Sequence, residues 1–277
     1  MNRNAQSFAC NTYSYTISHR AEACLSHLAD LGFSEFELMM YPGHLWPQDI
    51  DAAQRSSLRR LIESRDLRIV TLNMPNIDMN IAGASLQMRR YTLDMLRQIV
   101  ELAGELGAAG VVIGPGKSNP LFPAPRERLD GFFFSALDEL VPLAKKAGTA
   151  LWVENMPFAF IPDIEGLMQA LDRYGNDDIG IVYDVANGHF IKENLGDALR
   201  RCRKRLKLVH LSDTGRTVYR HDPVGAGDVP FSEVPPVLAE IGYSRLPMLE
   251  IISQDSDADT GILSSTEKLA AMGYVRV

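Results

Sequence analysis

No apolar run in this chain reaches the roughly 20 residues that a membrane-spanning helix needs. Its opening, MNRNAQSFAC, lacks the apolar stretch of a secretory signal. Cysteine is scarce: Cys10, Cys24 and Cys202 are an odd set at unrelated spacings, which excludes a disulfide framework and predicts a reduced, cytoplasmic protein. Basic charge is also in deficit. The 28 Lys and Arg against 35 Asp and Glu leave a formal charge of −7, which argues against a nucleic-acid partner, whose phosphates favour basic surfaces. The one basic cluster (Arg200, Arg201, Arg203, Lys204, Arg205, Lys207) lies between a helix and the start of a strand and reads as a solvated face.

Several catalytic signatures are missing as well. AGVVIGPGKS fails as a phosphate loop, because the motif needs glycine where Val111 stands. There is no G-x-S-x-G elbow, no cysteine beside a histidine, and no GxGxxG after the first strand.

What the chain does have is an alternation of short apolar runs with segments of helical period. The runs at 6–12, 33–40, 67–72, 108–113, 149–154, 179–184, 206–211 and 248–252 predict eight strands. Between them come helices at 18–31, around Leu58, Leu61 and Ile62, and from a Ser85 cap through Leu93, Leu96, Val100 and Ala103 to Gly107. Further helices carry Phe133, Leu137, Leu140 and Ala144 with Pro142 inside, start at Asp163, Asn194 and Phe231, and close with a short one near Ser265. Continuous apolar strands are buried on both faces, and strict alternation demands parallel pairing. Eight such units in 277 residues with no composition break predict one α/β domain over 1–277, a (β/α)8 TIM barrel, a fold of typically about 250 residues.

In such a barrel the active site sits where the strands end. The loops agree, since YPGHLWP, NMPNIDMNIAG, GPGKSNPLF, NMPFAFIP and TGRTVYRHDPVGAGDVP all follow strand ends, and helix-to-strand links are short. Strands five to eight each deliver a metal-type side chain there: Glu154, Asp184, His210 and Glu250. Three carboxylates and one imidazole suit Mn²⁺ or Mg²⁺, with Co²⁺ or Zn²⁺ also compatible. Asn187 and His189, in YDVANGHF, follow closely enough to reach the same pocket, although Asn187 reads equally as a turn residue. Arg216 lies on the active-face loop, in reach of a substrate oxygen. His221 precedes glycines that would let its loop fold back as a lid, and His44 and Trp46 offer a contact and an apolar wall from the second loop.

LWVENMP, IVYDVANGHF, LVHLSDTGR, HDPVGAGDVPF and MLEI together resemble the xylose isomerase-like TIM-barrel superfamily of sugar isomerases and epimerases, whose barrel endonuclease IV shares. The resemblance covers nearly the whole chain. It implies that Glu154, Asp184, His210 and Glu250 bind one divalent metal, as in the ketose 3-epimerases, and that Arg216 matches their substrate arginine. Two departures concern substrate. Asn187 stands where those enzymes carry histidine, and Phe160 where they carry a substrate-binding glutamate. Of the extra ligands of endonuclease IV's trinuclear zinc site, Gly114, Asn187 and Tyr219 replace three and only His221 survives, which disfavours a DNA-repair endonuclease. The expectation is an enzyme of carbohydrate metabolism, a metal-dependent sugar isomerase or epimerase. Glu154 and Glu250 would serve as acid and base through an enediolate, Arg216 would stabilise the oxyanion, and the protein would be a homodimer or homotetramer without nucleic-acid or membrane partners. A dehydratase or lyase on a keto-sugar or inosose, and a non-catalytic sugar-binding barrel, are the alternatives.

Overall fold

The computed structural model describes residues 5–74, 78–252 and 257–274. Eight parallel strands close into a barrel in chain order: β1 (Ala9–Asn11), β2 (Glu35–Met39), β3 (Arg68–Asn73), β4 (Gly110–Ile113), β5 (Leu151–Glu154), β6 (Gly180–Asp184), β7 (Leu206–Leu211) and β8 (Met248–Leu249). The seam closes through Ala9 opposite Met248 and Cys10 opposite Leu249. This is the (β/α)8 TIM barrel that the alternation predicts. The two seam strands are shorter than their apolar runs suggest, at three and two residues. Past β8 the ladder continues only as single bonds, such as the Glu250 amide to the Leu211 carbonyl at 3.1 Å.

Helices cover the outside: α1 (Ala21–Asp30), α2 (Ala52–Ser64), α3 (Leu86–Glu105), α4 (Arg126–Ala147), α5 (Ile164–Tyr174), α6 (Val185–Phe190), α7 (Leu195–Cys202), α8 (Val234–Glu240) and α9 (Ala258–Ala271). Asp163 and Asn194 cap α5 and α7 by accepting from the Gly166 and Asp197 amides, as side-chain oxygens do at helix starts. Ser85 sits at the start of α3 but donates to Gln87 Oε1 at 2.9 Å and makes no cap bond. α4 runs on through Pro142.

Three helices differ from the sequence reading. The segment 13–15 is a 3₁₀ turn, so α1 starts three residues later than expected. Phe231–Glu233 is also 3₁₀, and α8 begins only at Val234, with Pro235 and Pro236 in its first turn, where no intrahelical N–H is required. The closing helix α9 is 14 residues long rather than short.

Inside the barrel, Ala9, Val70, Val112, Trp152, Val182, Leu208 and Met248 form an apolar layer. The Trp152 ring is large for this space, and two glycines make room for it. A Cβ on Gly110 would lie 2.5 Å from the ring, and one on Gly180 would lie 2.7 Å from it. Side chains two residues further along each strand face the same way. Asn11, two residues past Ala9, takes the next inward position, and the register shift in β3, where Ile69 pairs with Phe36 but Thr71 with Glu37, brings Thr71 and Asn73 there too; all three meet at Glu37.

Candidate metal centre and its pocket

Above the apolar layer the strand ends turn polar. Glu154 is the last residue of β5, Asp184 the last of β6, His210 the fifth residue of β7, and Glu250 follows β8 directly. All four are buried. One ligand atom from each falls within 4.8 Å of the others. His210 Nδ1 stands 3.1 Å from Glu154 Oε1, 3.2 Å from Glu250 Oε2 and 3.9 Å from Asp184 Oδ2. Asp184 shows how the fold places such a group. Its Oδ1 caps α6 by accepting from the Asn187 amide at 2.7 Å, which leaves Oδ2 aimed into the cluster. That oxygen is fully buried and has no hydrogen-bond partner among the described residues. A buried orphan carboxylate oxygen costs stability unless a cation meets it. The donor set, three carboxylates and an imidazole, fits a divalent metal ion.

The electrostatics follow from burial. Burial pushes the Glu154, Asp184 and Glu250 carboxyls up to about 7, with neighbouring acids adding to it and the imidazoles of His210 or His221 opposing it. Burial alone would lower the His210 imidazole, yet the Glu37 and Glu250 carboxylates hold it well above its ordinary value.

Glu37 is the residue that sequence reasoning missed. It lies in the middle of β2, fully buried, with Oε1 3.2 Å from His210 Nε2. Thr71 Oγ1 donates to it at 2.7 Å and Asn73 Nδ2 at 3.0 Å, while Asn11 Nδ2 bridges Glu37 and Glu250. Despite the cost of burial, His210 and these donors hold its carboxyl below the usual range. A metal-binding histidine is commonly oriented by a carboxylate on its other nitrogen, and Glu37 occupies that place. The available signal was an acid flanked by apolar residues within FELMM, since a charge inside a barrel strand must be paired.

The other predicted residues divide. Asn187 and His221 line the pocket. Asn187 Oδ1 accepts from the Tyr219 hydroxyl at 2.6 Å, and that hydroxyl lies 2.7 Å from His221 Nε2. His221 Nδ1 in turn lies 2.9 Å from Ser212 Oγ and 3.5 Å from Glu250 Oε2. Residues 219–222 of this loop line the pocket, and Asp213 pins the loop by accepting from the Thr214, Gly225 and Val229 amides.

His189 belongs to α6, a helix the sequence reading took for loop, and its Nε2 bonds Asp228 at 2.7 Å instead of lining the pocket. His44 is buried between Thr12 Oγ1 (2.9 Å) and the His19 carbonyl (2.6 Å), so its polar atoms are consumed in the fold. Trp46 packs against the core and Arg216 is exposed; neither lines the pocket, where the arginine is Arg220. Phe160 packs on Phe133 outside the cavity, and the apolar wall comes from its neighbours Met156, Pro157 and Phe158.

The cavity above the cluster holds about 630 Å³. Lys117 also lines it, with burial lowering its ammonium. Among the described residues, no helix is long and apolar enough to cross a membrane.

The chain belongs to the xylose isomerase-like TIM barrel family, whose sequence model matches residues 25–272. Among particular relatives, an uncharacterised protein of Methanocaldococcus jannaschii is 27% identical over 234 residues, covering 82% of this chain and 77% of its own. Fructoselysine 3-epimerase of Shigella flexneri is 20% identical, with 89% of each chain covered. Of solved structures, a D-tagatose 3-epimerase-like protein superposes with a TM-score of 0.81 at 22% identity over 96% of both chains. The IOLI protein, crystallised with a zinc atom, gives 0.79 at 18% identity over 95% of this chain and 96% of its own.

Proposed function

We propose that the protein is a divalent-metal-dependent epimerase or isomerase of a sugar or sugar-like keto compound. The observation that carries this reading is the placement of Glu154 and Glu250. Both are buried carboxyls at the floor of one cavity, 3.1 and 3.2 Å from the same His210 nitrogen. The epimerase names among its relatives and structural neighbours support the reaction class.

Glu154, Asp184, His210 and Glu250 would hold the ion, which when bound supplies a Lewis acid for a substrate carbonyl. Glu37 fixes the His210 ring through its second nitrogen. In the forward direction one of the two glutamates takes the proton from the carbon beside the carbonyl. The electron pair of that C–H bond moves into the new C=C bond of the enediolate, and the other glutamate returns a proton. Return to the opposite face gives the epimer; return to the adjacent carbon gives the aldose–ketose isomer.

The test is solvent deuterium incorporation with the metal-loaded protein and a panel of keto-sugars. A catalyst exchanges the α-proton for deuterium. Glu154→Gln and Glu250→Gln should each lower the exchange at least 10³-fold, and full exchange in either variant rejects the two-carboxylate scheme.

A further inference from the structure

The cavity is larger and more apolar than a free monosaccharide requires. Its volume of about 630 Å³ is in the middle of the roughly 300–1,000 Å³ range of pockets that enclose drug-sized ligands. Asn73, Glu154, Asn187, His221 and Glu250 gather around the carboxylate cluster at the floor, and the loops after β4 and β7 add Lys117, Arg220 and Asp222. The rest of the lining is largely apolar. Met39 comes from the end of β2, Met79 from the loop after β3, and Met156 and Phe158 from the loop after β5. A thioether is a weak acceptor and no donor, and methionine is a flexible filler of apolar surface. Phe158 is 62% exposed at this wall, its ring edge-on to Tyr219 with centroids 5.4 Å apart.

A sugar carries hydroxyls on every edge. Each one moved from water against a methionine wall without a partner weakens binding. The same wall favours an apolar substituent, in proportion to the area it removes from water.

We infer that the substrate is a keto-sugar conjugate, with the sugar ring at the carboxylate floor and a bulky apolar substituent, such as an aryl group, along the wall of Met39, Met79, Met156 and Phe158. This rests on the reading of the floor as a sugar epimerase or isomerase site. It adds what that reading leaves open, the chemistry of the non-reacting half of the substrate.

The test compares a ring keto-sugar bearing a free anomeric hydroxyl with its own phenyl glycoside, on the full-length, metal-loaded protein. Titration calorimetry gives the Kd of each, and solvent deuterium exchange is followed in parallel. The phenyl glycoside should bind at least tenfold more tightly, with a more negative heat-capacity change, the signature of apolar burial. Phe158→Ala, at an exposed position, and Met156→Thr should cut that advantage to threefold or less. Equal affinities with deuterium exchange intact would overturn the conjugate inference and keep the epimerase reading. A retained phenyl advantage that the two wall variants abolish, with no exchange in either compound, would keep the apolar wall and reject the epimerase. Failure of both compounds to bind would overturn both.

Discussion

In the absence of a divalent cation this protein should lose stability as pH rises through neutrality, and adding one should remove that loss. Glu154 and Glu250 are carboxyls raised from 4.5 to about 7 by burial, and Asp184 is raised from 3.8 to about 7. A group whose folded value is raised binds its proton more tightly in the native state. Its stabilising contribution is therefore complete below pH 4 and is lost as pH climbs to about 7. One carboxyl shifted from 4.5 to about 7 corresponds to on the order of 3 kcal/mol. The three share His210 and repel one another, so they titrate as a set and do not add. We take the one-group figure as the scale. His210, also raised, acts in the same direction at higher pH; the His44 and His221 imidazoles, lowered by burial, act against it below about pH 6.5, and the lowered Glu37 loses its contribution only on the acid side, outside the window.

At about 2–4 °C per kcal/mol for a chain of this size, Tm in EDTA should fall by about 6–12 °C between pH 5 and pH 8. Metal at 100 times its Kd adds about 2.7 kcal/mol, or about 5–11 °C, at pH 8. It adds little at pH 5, where protons hold the ligands. Differential scanning calorimetry with EDTA, Mn²⁺ or Zn²⁺ across this range measures both effects. A metal-free Tm that stays level or rises from pH 5 to pH 8 would refute the reasoning, as would a metal-induced shift of equal size in Asp184→Asn.

Three further outcomes are expected. Glu37→Gln should weaken metal binding about 10–100-fold in a competition titration with a chelating dye, because the His210 ring loses its orienting carboxylate. Gly110→Ala puts a methyl 2.5 Å from the Trp152 ring and should lower stability by about 1–3 kcal/mol in chemical denaturation, with Trp152→Phe in the same chain recovering part of the loss. Arg216→Ala should leave keto-sugar exchange within about threefold of the parent, since that side chain is exposed outside the pocket.

Much of the site was legible because a parallel barrel converts sequence position into spatial position. A residue that ends an apolar strand points to one face of the molecule, so LWVEN, IVYD, LVHL and MLEI name four neighbours that lie up to 96 positions apart. Loop residues carry no such rule. Arg216 and Arg220 stand on the same loop with the same chemistry, and which one faces the cavity depends on how Asp213 and the bridge to Asp222 fold the loop back. His44 and His189 read as pocket contacts because they follow strand ends closely, but their partners are Thr12, the His19 carbonyl and Asp228. None of those is adjacent in sequence, so no local pattern could exclude them.

The alternation of apolar runs with segments of helical period by itself pointed to the barrel, the face where the strands end and the four candidate ligands there. Only the tertiary structure decided what surrounds them. Glu37 reads in sequence as one acid in an apolar strand. It becomes the partner of His210 only when strands two and seven face each other across the closed barrel, 3.2 Å apart at their side chains. The methionine wall is likewise assembled from segments far apart in the chain, and burial, which raises the Glu154, Asp184 and Glu250 carboxyls, is a property of the closed barrel.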